Sequence, residues 1–256
     1  FANYAFNKAH AVCYAIVAYQ TAWFKCHYPR EYMAALLTSV LDSQGKIAEY
    51  IAECRSLGIR LLPPDINQSG PDFTVAGRDI RFGLAALKGV GRGFTNAVLA
   101  RRQADGPFTS FPDFCQRLLD EDLNKRVLES LIRAGAFDAM GVRRSQLLDA
   151  YEQLIDSLTR NRRKNLEGQF DLFSLGQEKP EPVELVLRDL PEFSQEELMT
   201  MEKEVTGLYL SGHPMDAYRD TVRAQGAVPI ASVLEDFAQE EGPTQFQDGQ
   251  RILLAG

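Results

Sequence analysis

Three glycines, Gly89, Gly91 and Gly93, fall inside "KGVGRG" between two apolar runs. Each would weaken a continuous helix by roughly 1 kcal/mol relative to Ala, so the spacing predicts a tight turn between two short helices. Leu84 and Leu87 share one face of the first helix, and Ala97, Val98 and Leu99 can pack against them from the second. Such a turn leaves the N–H groups of Gly91, Arg92 and Gly93 free at a helix start. Free amides at the positive end of a helix make an anion site suited to a phosphate. Between Arg78 and Arg102 six basic residues (Arg78, Arg81, Lys88, Arg92, Arg101, Arg102) stand against one acid, Asp79. The expected contacts are Lys88, Gly89, Val90, Gly91, Arg92 and Gly93. The plainer alternative, a helix break beside solvated arginines, leaves this local charge unexplained.

Residues 127–154 look like a degenerate second copy. The turn there is "AGAFDAMG", with Gly135 and Gly141 retained, and Arg143 and Arg144 opening the next helix. Those two arginines are its expected contacts, although a simple helix break is a serious competitor here. The pattern L-x-x-L-x-G-V-G followed by a helix resembles the helix-hairpin-helix module, which grips DNA backbones without reading sequence.

Composition bounds the rest. With 256 residues, 45% apolar and 25% charged, the chain has the makeup of a globular protein. A net charge of -7 excludes indiscriminate nucleic-acid binding over the whole surface, so any such contact comes from local basic patches. Four widely spaced cysteines (Cys13, Cys26, Cys54, Cys115) without a C-x-x-C pair fit a reducing compartment rather than a disulfide framework or zinc site. Three histidines (His10, His27, His213) do not make a histidine-rich metal centre. "AVCYAIVAYQTAWF" is too short and too polar to span a bilayer and lacks a cleavage pattern, so it reads as a buried helix. The chain opens without Met and closes on the strand-like "RILLAG", as expected of a piece cut from something longer.

The elements follow from periodicity and punctuation. Asn7 can cap a first helix running to about Lys25, apolar on most sides as for a helix enclosed in a larger body. "YPREYMAALLTSVL" starts a second helix at Pro29, and "KIAEYIAECRSLG" is a third, closed by Gly58. "LLPPDINQSGPD" is a boundary, and "FTVAGRDIRFG" a hairpin turning near Gly77. Helices broken by short turns extend to about Thr159. A polar, Pro-containing linker follows, and then a helix with Ser194 and Glu197 in capping-box register.

The stretch "NYAFNKAHAVCYAIVAYQTAWFKCHYPREYMAALLT" is the most distinctive. It resembles the fingers region of the bacterial family C replicative DNA polymerases, the DNA polymerase III alpha family. "LLPPDIN", "IRFGLAALKGVG", "PFTSFPDFC", "NKRVLESLIRAGAFD" and "GLYLSGHP" follow in that family's order, so the resemblance covers essentially the whole chain. It implies that Asn7, Lys8 and His10 lie near the incoming deoxynucleoside triphosphate. A helix start carrying Lys and His complements phosphate charge, although Asn7 serves equally well as a helix cap. The resemblance also places the metal-binding aspartates in a palm preceding Phe1. It therefore implies no catalytic residue, cofactor or metal within this segment, and Mg2+ only in the missing palm.

Within the linker, "GQFDLFSLG" looks like the Q-x-x-L-F peptide by which that family binds the ring-shaped sliding clamp. Leu172 and Phe173 can bury apolar side chains, Gln169 supplies a directional hydrogen bond, and Phe170 and Asp171 complete the peptide. The competing reading pins Phe170, Leu172 and Phe173 to the chain's own surface.

The expected fold is mainly α: a multi-helical fingers segment (1–72), a tandem helix-hairpin-helix domain with a short β-hairpin (73–160), a flexible linker carrying the clamp peptide (161–190), and a helix leading into the first strand of an oligonucleotide-binding fold (191–256). The expected partners are primer-template duplex DNA, a deoxynucleoside triphosphate, the sliding clamp and other replicase subunits, in the bacterial cytoplasm and without membrane contact. The alternatives are an error-prone family C paralogue and a non-catalytic helix-hairpin-helix repair module. The latter gives no reason for "FNKAH" or "QFDLF".

Overall fold

A computed structural model describes residues 8–41, 43–166, 185–239, 242 and 244–254. It is mainly helical with one small sheet, as expected. By its contacts the chain divides into two units, Phe1–Ser211 and Gly212–Gly256.

The larger unit opens with α1 (Lys8–His27), α2 (Pro29–Ser39) and α3 (Gln44–Ser56). Pro29 occupies the first turn of α2, where its missing N–H is not needed. Met33, Ala34 and Leu37 of α2 and Ile47, Ile51 and Cys54 of α3 are buried. Burial pushes the Cys54 thiol up to about 11, which makes it inert at neutral pH. Helix α1 is uncovered within this segment. It buries none of its residues, and Val12, Tyr14, Ile16, Val17, Tyr19, Trp23 and Phe24 are 40–71% exposed. A Lys25–Glu53 ion pair ties its end to α3.

The sheet has the order β1 (Leu61–Leu62), β3 (Asp79–Arg81), β2 (Thr74–Ala76). The hairpin β2–β3 is antiparallel with Val75 opposite Ile80, and Gly77 in its turn has φ +64°. The parallel strand β1 lies in what reads as a boundary loop, and two residues are too few to carry an alternation signal. No break in the core falls at residue 72. Met33, Leu37, Ile47 and Ile51 share one apolar cluster with Phe73, Ile80, Phe82, Leu84 and Phe94.

Five further helices complete this unit's scaffold: α4 (Arg92–Asp105), α5 (Phe111–Leu118), α6 (Lys125–Arg133), α7 (Arg144–Leu166) and α8 (Gln195–Thr206). Phe94, Phe108, Phe111, Phe114 and Phe137 meet edge-to-face in the core, the arrangement that ring quadrupoles favour. The capping box of α8 forms as expected. Ser194 Oγ accepts from the Glu197 N–H at 3.3 Å, and Glu197 Oε2 accepts from the Ser194 N–H at 2.8 Å. The expected linker is shortened at its start, because α7 continues to Leu166.

The smaller unit contains α9 (Arg219–Ala224) and α10 (Ile230–Phe237). Asp236, buried at the end of α10, accepts from the N–H groups of Thr244, Gln245 and Phe246 and from the Thr244 hydroxyl. The strand expected in "RILLAG" is not formed among the described residues. A strand requires a paired ladder, and among the described residues this stretch has one long-range backbone bond, Val228 N–H to Leu253 O at 2.8 Å.

Candidate nucleic-acid interface

The glycine-rich bend is built differently from two equal helices. Its first arm is a single 3-10 turn, Leu84–Ala86. A Cβ at Gly83 would lie 2.6 Å from the Pro71 carbonyl oxygen, and the N–H groups of Leu84 and Ala85 donate to Gly70 and Pro71. Gly89 then adopts φ +82°, so only one turn fits between the two glycines. Leu84, Leu87 and Val90 are buried with Phe94 and Val98 of α4, which fixes the bend to the core by its apolar side. The Lys88 N–H donates to the Val205 carbonyl at 2.8 Å and ties the bend to α8.

The polar side is open. Lys88, Gly89, Gly91, Arg92 and Gly93 are exposed. The N–H groups of Gly91, Arg92 and Gly93 have no acceptor among the described residues, and no side chain caps α4. A Cβ at Gly91 or Gly93 would meet nothing within 4 Å, so internal packing does not demand their bareness. It leaves the amides open to a bulky outside acceptor. One carboxylate stands near: Asp72 pairs with the Arg92 guanidinium at 2.5 Å, in a surface contact that leaves the amides uncovered.

Few of the six arginines and lysines face this bend. Arg81 donates to the Pro63 carbonyl and Gln68, Arg101 pairs with Glu121, and Arg102 donates to the carbonyls of Ile66 and Ser69. At 1.5 Å per residue, Arg101 lies about 14 Å along α4 from Arg92, too far to share its anion. The side chains of Lys88 and Arg78 have no partner among the described residues. Arg126 on α6, distant in sequence, also reaches the bend. A Cβ at Gly89 would sit 3.3 Å from Arg126 Nε. A cation 37 positions away leaves no local spacing signal; only tertiary packing delivers it.

In the second hairpin the arginines have other work. Arg144 is buried and pairs with Asp138 at 2.6 Å and with Glu202 at 3.1 Å, while Nη1 donates to the Arg133 carbonyl. Burial alone would lower its pKa, but the two carboxylates reverse this and hold it raised. Its guanidinium is therefore spent on the interior and has no reach to an outside phosphate. Gly135 is needed for this contact, because φ is +79° and a Cβ would collide with the Arg144 guanidinium. Arg143 binds Asp189 at 2.8 Å and the Leu190 carbonyl at 2.7 Å. The Arg144 and Ser145 N–H groups donate to the Glu192 carboxylate at 2.8 and 3.1 Å. Burial raises the Glu192 pKa, but the N–H groups of Phe193, Ser145 and Arg144 outweigh it and hold it low. The anion position of the second hairpin is thus filled from within the chain.

Lys8 and His10 lie exposed on the first turn of α1, where His10 stacks edge-on to Tyr14 with centroids 4.4 Å apart. Asn7 lies outside the described residues, as do Gln169, Phe170, Asp171, Leu172 and Phe173 of the linker peptide. Among the described residues no group of three or more His, Cys, Asp or Glu side chains is placed to hold a metal ion. No described helix is long and apolar enough to cross a membrane.

Comparison with known proteins agrees with this geometry. The helix-hairpin-helix motif family matches residues 58–147, the stretch that holds the bend, α4 and α6. DNA polymerase III subunit alpha of Mycobacterium tuberculosis is 42% identical over 92% of this chain and 20% of its own length. The proteins of the same name from Thermus aquaticus and Deinococcus radiodurans are 45% and 41% identical over the whole chain, which covers 20% and 19% of them. The chain thus spans about a fifth of the length of the curated relatives it matches. Identity at this level along nearly every element described above places the chain in the DNA polymerase III alpha family, as a segment containing its helix-hairpin-helix region.

Proposed function

We propose that this segment holds duplex DNA for a replicative DNA-directed DNA polymerase by gripping a strand's phosphates at the glycine bend, independently of base sequence. The observation that carries this reading is the trio of exposed, acceptor-free amides at Gly91, Arg92 and Gly93, set at the start of α4 beside Lys88 and Arg126. Aligned N–H groups and a helix dipole bind a phosphate oxygen well, and they read no base edge. Gly89 supplies the turn and Val90 the anchor. Arg143 and Arg144 are left out of the contact set, because their partners are internal.

The rest of the reading rests on kinship. Lys8 and His10, with Asn7, would meet the triphosphate of the incoming deoxynucleotide, and the exposure of Lys8 and His10 on the first turn of α1 supports this. Gln169, Phe170, Asp171, Leu172 and Phe173 would tether the segment to a sliding clamp, with other replicase subunits alongside, in the bacterial cytoplasm. Polymerisation itself, with its divalent metals, belongs to the remainder of a longer parent protein.

The test is anisotropy titration of several unrelated duplexes with the native chain and with Gly91→Glu/Lys88→Ala. Binding should weaken by a similar factor for all of them. Losses that depend on duplex sequence, or no loss, would remove the backbone grip. For the tether, Leu172→Ala/Phe173→Ala should abolish clamp binding, and equal affinity for both forms would exclude it.

A further inference from the structure

A pocket of about 240 Å³ opens between α3, β1 and residues 208–210, just beyond the C-terminus of α8. Ile51, Leu61, Leu208 and Leu210 give it an apolar lining, and Tyr209 adds an aromatic ring. Arg55 and Arg60 also line it. The Lys203 ammonium lies 4.6 Å from the Tyr209 ring centroid and 3.0 Å from its hydroxyl. Arg60 holds Asp79 through two guanidinium bonds, and the neighbouring Glu53 is answered by Lys25. The Arg55 side chain has no partner among the described residues. Arg55 and Arg60 thus line the pocket and Lys203 sits on the Tyr209 ring, while Asp79 pairs with Arg60 and Glu202 accepts from the Leu210 N–H. This leaves the Arg55 and Lys203 side chains without a carboxylate partner among the described residues.

The pocket adjoins the glycine bend. The Val205 carbonyl accepts from the Lys88 N–H, and Leu208 follows three residues later, at most about 10 Å of chain away. At about 3.4 Å of rise per nucleotide, a strand gripped at the bend comes within a few nucleotides of the pocket.

We propose that this pocket receives one unpaired nucleotide of a DNA strand leaving the duplex held at the bend. The base lies against the apolar lining and the Tyr209 ring, and its phosphate meets Arg55, whose guanidinium is not engaged by a carboxylate among the described residues. A cationic rim around an aromatic platform is the general chemistry of single-strand binding, in which any base can stack and the backbone supplies charge. The proposal rests on the phosphate-grip reading above, which supplies the strand.

The test compares three probes in anisotropy titrations of the whole chain: a blunt duplex, the same duplex with a thymidine tail, and one with an abasic tail, each tail on either strand end. The thymidine tail should tighten binding about tenfold over the blunt duplex, the factor expected for one stacked base. The abasic tail should recover only part of that gain. Tyr209→Leu and Arg55→Ala should each remove most of the gain and leave blunt-duplex affinity unchanged. Absence of a tail advantage in the native chain overturns the proposal. So does equal benefit from the abasic tail, or an equal loss for blunt and tailed probes in both variants. If Gly91→Glu/Lys88→Ala leaves blunt-duplex binding intact while the tail gain persists, the bend reading fails and the pocket stands.

Discussion

Replacing Glu202 by alanine should unfasten α8 from the second hairpin, and the structure sets the size of the effect. Glu202 is 1% exposed. Its Oε1 accepts from Arg144 Nη2 at 3.1 Å, and its Oε2 accepts from the Leu210 and Ser211 N–H groups at 3.1 and 2.8 Å. Removing one partner of a buried ion pair costs about 3–5 kcal/mol, because the other charge stays buried. Arg144 keeps Asp138, whose side chain is 49% exposed, and the exposed Ser211 N–H can turn to water. Those two compensations put the expected loss at the low end, about 3–4 kcal/mol. At roughly 2–4 °C per kcal/mol for a unit of this size, the melting temperature should fall by about 6–16 °C. Circular dichroism during thermal and urea unfolding measures it, with Asp189→Ala as the control. Asp189 pairs with Arg143 but is 95% exposed, so its loss should cost under about 1 kcal/mol. If Glu202→Ala costs no more than Asp189→Ala, the buried pair does not secure α8 and the reasoning fails.

Two other outcomes are expected. In duplex binding, Lys88→Ala and Arg126→Ala should each reduce the salt slope by up to about 0.9, while Arg101→Ala, nine residues into α4 and paired with Glu121, should leave it unchanged; a slope that follows Arg101 instead would misplace the interface. In the smaller unit, burial raises the Asp236 carboxyl, but the N–H groups of Thr244, Phe246 and Gln245 outweigh it and hold the carboxyl at about 2. A depressed carboxylate stabilises fully above its unfolded value near 3.9, and that stabilisation is lost as pH falls toward 2. The backbone amide resonances of Thr244, Gln245 and Phe246 should therefore titrate with a midpoint near 2, and a midpoint near 3.9 would refute the bonding.

Local pattern carried a good deal of this protein. The capping pair Ser194 and Glu197, the turn at Gly77 and the bend at Gly89 all depend on residues within a few positions of each other, and each forms where the sequence places it. Helical periods located α2, α3 and α8 for the same reason. The two-residue strand β1 carried no such signal and gained its structure only by pairing with β3. The apolar faces of α1 were legible as apolar, but whether they are covered is a property of neighbours, and none of the described residues buries them.

The amide trio at Gly91, Arg92 and Gly93 was set by sequence alone, because helix starts and glycine turns are written in adjacent residues. Which cations serve it was not. Arg101 and Arg102 lie close to the bend in sequence but turn elsewhere, Arg126 arrives from another helix, and Arg144 is drawn inside by Asp138 and Glu202. Charge is long-ranged compared with a hydrogen bond, yet its effect is fixed by where a flexible side chain ends. That endpoint is decided by partners far away in the chain, which only the packed tertiary structure brings together.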